Sequence, residues 1–262
     1  MLNLINITAR NLPDAWFQLV YKAVEIGRGF EIDRGSYEGM KRLEFDYVTI
    51  QVKFPGEEPL VPVMPERVTF PPPTDMDFVN NYLPYLMDSI KLPNESYTYG
   101  SRIAGYITPH AILYRMVTWQ QHIVDELEEW MQNPKIISTV DRLFNQIEAV
   151  IWTYKNKGHR NNQMVLQVAE PNDLLLKDPP CLRHIDTRVQ DGKLHFFVYF
   201  RSWDLWNGLS PNLAGVQLLK QYIAMEIGVD DGELIASSKG LHIYNDCWPM
   251  AEELRNKKIE GI

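Results

Sequence analysis

The sequence predicts an α+β fold: a single domain with a mixed, largely antiparallel sheet flanked by helices. Three observations predict it. Apolar residues recur with helical spacing in several separate stretches. Short segments between those stretches alternate apolar and polar with a period of two. An Asp-Gly pair, Asp191-Gly192, stands between two such segments and supplies the positive φ that a tight hairpin needs.

The elements follow in chain order. Residues 13 to 28 place Ala15, Trp16, Leu19, Val20, Ala23, Val24 and Ile26 on a helical stripe that stops at Gly27. Residues 44 to 54 (EFDYVTIQVKF) alternate and predict a strand. Residues 55 to 74 hold Pro55, Pro59, Pro62, Pro65 and Pro71-Pro72-Pro73. Proline fixes φ and removes a donor, so this stretch is an irregular excursion of the same domain. Residues 109 to 131 place Ile112, Met116, Trp119, Ile123, Leu127 and Trp130 on one helical face. Ser138 followed by Asp141 predicts a capped helix running to about Lys155. Residues 163 to 168 (QMVLQV) predict a strand, 184 to 200 the two arms of the hairpin, and 213 to 227 a helix stopped by Gly228. There is no internal repeat or low-complexity segment, so residues 1–262 are expected to form one domain.

Composition narrows the function classes. The chain is 45% hydrophobic and 23% charged, ordinary for a globular protein. No apolar run approaches the roughly 18 residues of a membrane span. The N-terminus MLNLINITARNLPDAW interrupts its apolar residues with Asn, Thr and Arg and lacks a signal-peptide core, so the expected location is cytoplasmic, with no membrane partner. A net charge of -8 argues against a nucleic-acid polymer as partner, because phosphate backbones are held by basic stripes. It leaves room for a single nucleotide held by a few arginines. Two distant cysteines make neither a disulfide framework nor a zinc site, and no metal is expected. Cys247 reads as a small buried hydrophobe.

The region from Pro179 to Tyr244 carries the chemistry. Cys181 follows Pro179-Pro180, which stiffens its approach, and Arg183 is two places on. Then come Arg201-Ser202-x-Asp204, Asn212 just before a helix, and His242 with Tyr244 two apart on one face of a strand. Arg binds phosphate bidentately, Asn reads a base edge with a donor and an acceptor, and a nearby Arg favours a thiolate nucleophile. A solvated strand end beside a helix N-terminus would use the same residue types.

The ordered set PPC, RSxD, G-L-x-x-N-L and H-x-Y, at these intervals, resembles the thymidylate synthase family over about residues 160 to 246. The resemblance implies a thymidylate synthase-like fold and assigns Cys181 as the nucleophile that adds to C6 of dUMP. C5 then takes a one-carbon unit from 5,10-methylenetetrahydrofolate or a related tetrahydropterin, giving dTMP. It implies that Arg201 and Ser202 bind the phosphate, Asn212 the pyrimidine edge, and His242 and Tyr244 the sugar hydroxyl. It implies that Asp204 contacts the folate pterin. Asp33-Arg34-Gly35 resembles the family's phosphate-clamping loop, the alternative being a turn with a solvated Arg34. Arg160 resembles the arginine donated across a homodimer interface, although the family's second arginine is Asn161 here. Tyr99 in YTYGSRI resembles the tyrosine on the folate side. Trp203 fits either a pterin stack or the core, and Trp206 reads as core.

The chain also departs from the family. Leu182 replaces a common His and Phe200 a common Gln. The window DFVNNYLPYLMD offers no counterpart to the family's activating glutamate, so either another acid serves or the activity differs. The C-terminal closing segment has no obvious match either. Two alternatives therefore stand beside the synthase. One is a pyrimidine-nucleotide hydroxymethylase acting on dCMP or CMP, although Asn212 suits uracil better than cytosine. The other is a non-catalytic nucleotide-binding relative.

Overall fold

The computed structural model describes residues 2–33, 37–107, 133–138 and 143–259. Arg34, Asp141 and the helix expected over 109 to 131 lie outside the described residues.

Strand β1 (Leu4–Ala9) leads into α1 (Leu12–Ile26). Asn11 caps that helix, its side chain accepting the Asp14 N–H at 3.1 Å. The apolar stripe is buried as its spacing requires, with Trp16, Leu19 and Val20 fully enclosed. After β2 (Arg28–Glu31), the stretch expected as one strand over 44 to 54 is two: β3 (Lys41–Phe45) and β4 (Tyr47–Val52), in different sheets. The break is Asp46. Its carboxylate accepts the Asn3 N–H at 2.6 Å and pairs with Arg28 at 2.9 Å, and the inward phase set by Leu43 and Phe45 restarts at Val48.

The proline-rich stretch is free of helix and strand up to Asp75, which caps α2 (Met76–Met87) by accepting the Phe78 N–H at 2.8 Å. A reciprocal cap between Thr98 and Ser101 opens α3 (Tyr99–Ile103). Strands β5 (Tyr106–Ile107), β6 (Ile137–Ser138) and β7 (Leu143–Phe144) form a small sheet. Here the expectation for Ser138 fails. Its backbone pairs with Leu143, so it cannot open a helix, and α4 (Gln146–Lys157) starts later. Asn145 is the cap, accepting the Ile147 and Glu148 N–H groups at 3.0 and 3.2 Å.

Strand β8 (Val165–Gln167) and a 3₁₀ turn (Pro171–Leu175) precede the hairpin of β9 (Leu182–Gln190) and β10 (Lys193–Phe200). Asp191 and Gly192 have φ of 53° and 72°, the two positive values of a type I′ turn. β11 (Trp203–Asp204) is followed by α5 (Leu209–Ile227), which begins earlier than its apolar stripe suggests and ends at Gly228, φ 74°. β12 (Asp230–Ser238), β13 (Leu241–Tyr244) and α6 (Trp248–Arg255) follow.

The large sheet has the order β1-β4-β12-β10-β9-β8 and is mixed: β1 with β4 and β10 with β12 are parallel, the other pairs antiparallel. Its inner face buries Ile7, Ile50, Phe196, Val198 and Leu234 under α1 and α5. Truncating one such side chain to Ala costs about 2–5 kcal/mol. The opposite face, with Thr49, Gln51, His195, Phe197, Tyr199, Glu233 and Ile235, is half-buried. A second sheet, β11-β13-β3-β2, sets Asp204 beside His242 by parallel pairing. The observed architecture is thus the expected α+β class, with helices flanking mixed sheets.

Candidate active site

Cys181 stands at the last residue before β9, and the end of β10 lies beside it: Phe200 pairs with Leu182, and the Arg201 N–H donates to the Cys181 carbonyl at 2.9 Å. The thiol is half-buried. The loop entering it is clamped from one side by Arg201, which donates to the carbonyls of Pro179 and Pro180 at 2.5 and 3.2 Å and pairs with Asp178 at 3.3 Å. Arg183 clamps the other side, donating to the Pro180 carbonyl at 3.2 Å and pairing with buried Asp173 at 2.8 Å. Asp173 also pairs with Arg102 at 2.7 Å. The two prolines thus stiffen the approach to Cys181, and the two arginines fix its position.

Burial pushes the Cys181 thiol up. The charges of Arg201 and Arg183 pull it back only in part, and Asp178 and Asp204 oppose them. The lowering expected from a neighbouring arginine is therefore present but outweighed by desolvation.

Ser202 is half-buried directly after Arg201. Asp204 accepts the Trp206 and Asn207 backbone N–H groups at 2.9 and 3.1 Å, capping the turn that leads to α5. Burial raises its carboxyl even so. Trp203 is core, 2% exposed and stacked on Phe200 at 3.9 Å between ring centres. Trp206 is core too, against Trp16.

Asn212, in the first turn of α5, is half-buried. The Trp203 indole Nε1 donates to its Oδ1 at 2.9 Å, and its Nδ2 donates to the Tyr82 hydroxyl at 3.1 Å. An indole N–H can only donate, so it decides which way the amide faces. One Oδ1 lone pair and one Nδ2 hydrogen remain.

His242 is 3% exposed on β13, across from Glu44 of β3. Burial lowers its pKa to about 4, so the ring is neutral. Its Nδ1 faces the Gly240 carbonyl at 2.8 Å, and a carbonyl can only accept, so the proton is on Nδ1. Nε2 is then a buried acceptor with no hydrogen-bond partner among the described residues. Tyr244 sits 4.6 Å away, ring to ring, with its hydroxyl pushed up to about 12 by burial first and by Tyr37 and Asp204 next. Tyr37 stacks on Tyr244 at 4.6 Å, which brings the chain just after Arg34 to this end of the molecule.

Tyr99, at the start of α3, is buried, and its hydroxyl accepts the Leu182 N–H at 3.3 Å. It belongs to a cluster of four tyrosines. Tyr85 packs on Tyr82 and Tyr99, and Tyr97 on Tyr99, at 5.2 to 6.4 Å between ring centres. All four lie near enough to Cys181 for its charge to act on their hydroxyls, which burial raises, that of Tyr85 to about 12. The signal for Tyr82 and Tyr85 is their spacing of three on one face of α2. Arg160 is exposed in the loop between α4 and β8.

Among the described residues, no group of three or more His, Cys, Asp or Glu could hold a metal ion, and no helix is long and apolar enough to cross a membrane. The arrangement is thus a fixed thiol, two guanidinium groups, an oriented amide and a neutral imidazole acceptor at one end of the sheets.

Comparison with known proteins points the same way. The thymidylate synthase family model matches residues 112–260. A Methanosarcina acetivorans protein, provisionally named a thymidylate synthase, is 24% identical over 256 residues, 98% of this chain and 95% of its own. A Methanosarcina mazei protein of the same name is 23% identical over the same shares. The thymidylate synthase of Listeria monocytogenes is 35% identical over 109 residues, 41% of this chain and 33% of its own.

Proposed function

The chain belongs to the thymidylate synthase family, and from that membership we propose that it methylates C5 of dUMP to give dTMP. The observation that carries this reading is the amide of Asn212. Held by Trp203, it keeps one acceptor and one donor free, the complement of the N3–H and O4 of uracil. Cytosine presents the opposite pattern at those two atoms. A buried donor or acceptor left unpaired costs about 1–3 kcal/mol, so the preference for uracil is large.

The other residues take roles consistent with that substrate. Cys181 adds as its thiolate to C6, its proton leaving to solvent, and Arg201 favours that thiolate against the burial that opposes it. Arg201 and Ser202 bind the phosphate, joined by Arg34 and by Arg160 of a second subunit in a homodimer. The exposure of Arg160 and the half-buried outer face of the large sheet support the homodimer. The unpaired Nε2 of His242, with Tyr244 beside it, accepts a sugar hydroxyl. Asp204 and Tyr99 lie on the side of a reduced folate or related tetrahydropterin. That co-substrate supplies the one-carbon unit and the hydride. The reaction so described proceeds in the cytoplasm.

The test is intact mass after incubation with 5-fluoro-dUMP and methylenetetrahydrofolate. Fluorine at C5 cannot leave as a proton, so the adduct accumulates. A mass gain of nucleotide plus folate, abolished by Cys181→Ala, is expected. A folded protein that gains no mass with this folate or with a related methylene-tetrahydropterin refutes the reading. With dUMP itself, product analysis separates a methyl from a hydroxymethyl group, and turnover of dCMP equal to that of dUMP would count against the role of Asn212.

A further inference from the structure

Among the described residues, Tyr82 supplies the hydroxyl bonded to Asn212, and its geometry assigns it a task. Nδ2 of Asn212 can only donate, so at 3.1 Å the Tyr82 oxygen is the acceptor and its own O–H is left to donate elsewhere. Both residues are half-buried, and the Tyr82 hydroxyl itself lies in the enclosed part. The ring is held tightly on its other side. A Cβ on Gly215 of α5 would come within 2.8 and 2.9 Å of two Tyr82 ring carbons, so the position of the ring depends on a glycine there. Burial raises the hydroxyl far above its ordinary value, and the nearby Cys181 and Tyr85 raise it further. The group therefore stays protonated and acts as a donor, never as a base.

Resting on the dUMP reading, we propose that Tyr82 holds a water against O4 of the uracil and so stabilises the charge that forms there when Cys181 adds to C6. The two hydrogens of Nδ2 diverge by about 120°, so O4 on one and the Tyr82 oxygen on the other stand about 5 Å apart, the span of one bridging water. The step balances. The S–C6 bond forms, the C5=C6 pair moves to C4–C5, and the C4=O4 pair moves to O4 as an enolate. The Tyr82 O–H donates to the water, and the water donates to O4. No proton need transfer, because hydrogen bonds aimed at the developing charge lower the barrier. Tyr82 is thus a positioning residue, and it answers the lack of a carboxylate in DFVNNYLPYLMD.

The test is a cycle between protein and nucleotide. Adduct formation rates are measured for wild type and Tyr82→Phe, each with 5-fluoro-dUMP and with its 4-thio analogue, whose sulfur accepts hydrogen bonds poorly. Methylenetetrahydrofolate is present throughout. Tyr82→Phe is expected to slow addition of the oxygen compound by roughly 10- to 100-fold. Replacing O4 by sulfur is then expected to slow the wild type at least tenfold more than it slows Tyr82→Phe. A purely structural Tyr82 would leave the two sulfur penalties equal, and equal penalties overturn the proposal while the dUMP reading stands. Absence of any adduct in the wild type, with this folate and with a related methylene-tetrahydropterin alike, overturns both.

Discussion

His242 is buried as a neutral ring, and this has a measurable consequence at the residue scale. Burial is the main cause of its lowered pKa, the charge of Arg42 adds to it, and the Gly240 carbonyl opposes both. Unfolded, the ring takes up its proton near 6.5; folded, it does so only near 4. Between those values the unfolded state binds more protons, so this contribution to stability is complete above the upper value and is lost as pH falls through the window. The full shift corresponds to about 3 kcal/mol. Denaturant unfolding at pH 7 and pH 4.5 is expected to show a larger loss for the wild type than for His242→Gln, the difference approaching that figure. Equal losses would mean that the folded ring protonates like an exposed one.

At the scale of elements, the packing of α2 on α5 decides where the site's hydroxyl stands. Gly215 is a poor helix former, and replacing it by Ala would ordinarily stabilise a helix by about 1 kcal/mol. Here the added methyl meets the Tyr82 ring at 2.8 Å. Overpacking of that kind costs about 1–3 kcal/mol, so it equals or outweighs the gain. Gly215→Ala is expected to fail to raise Tm and to slow adduct formation, because the ring must leave Asn212. Adding Tyr82→Leu should restore Tm without restoring the rate. A fully active, stabilised Gly215→Ala protein would show that the ring tolerates displacement. The boundary misread at Ser138 belongs to this scale too. A cap residue followed by an acid is a local signal, and the pairing of β6 with β7 overrides it.

At the scale of the whole molecule, the prediction concerns the second subunit. If Arg160 completes the phosphate site of its partner, Arg160→Ala and Cys181→Ala proteins are each inactive alone. Mixed and allowed to exchange subunits, they form hybrid dimers in which one of two sites is intact, so about a quarter of wild-type activity should return. No recovery in a mixture shown to be dimeric would place Arg160 outside the site.

Periodicity and turn chemistry alone determined the α+β class, the helices over α1 and α5, and the hairpin at Asp191-Gly192. Each of these rests on contacts within a few residues, which a linear pattern records. The motif residues from Cys181 to Tyr244 were singled out differently: their order and intervals resemble those of the thymidylate synthase family. Only the tertiary structure decided the rest. It split the stretch over 44 to 54 between two sheets at Asp46, because Asn3 and Arg28, distant in sequence, bind its carboxylate. It turned Arg201 and Arg183 onto the loop before Cys181 and made burial, not their charge, the stronger influence on the thiol. It brought Tyr82, 130 residues from Asn212, into a hydrogen bond with it. Burial and long-range polar contacts depend on which distant segments share a volume, and that is set by how the layers pack.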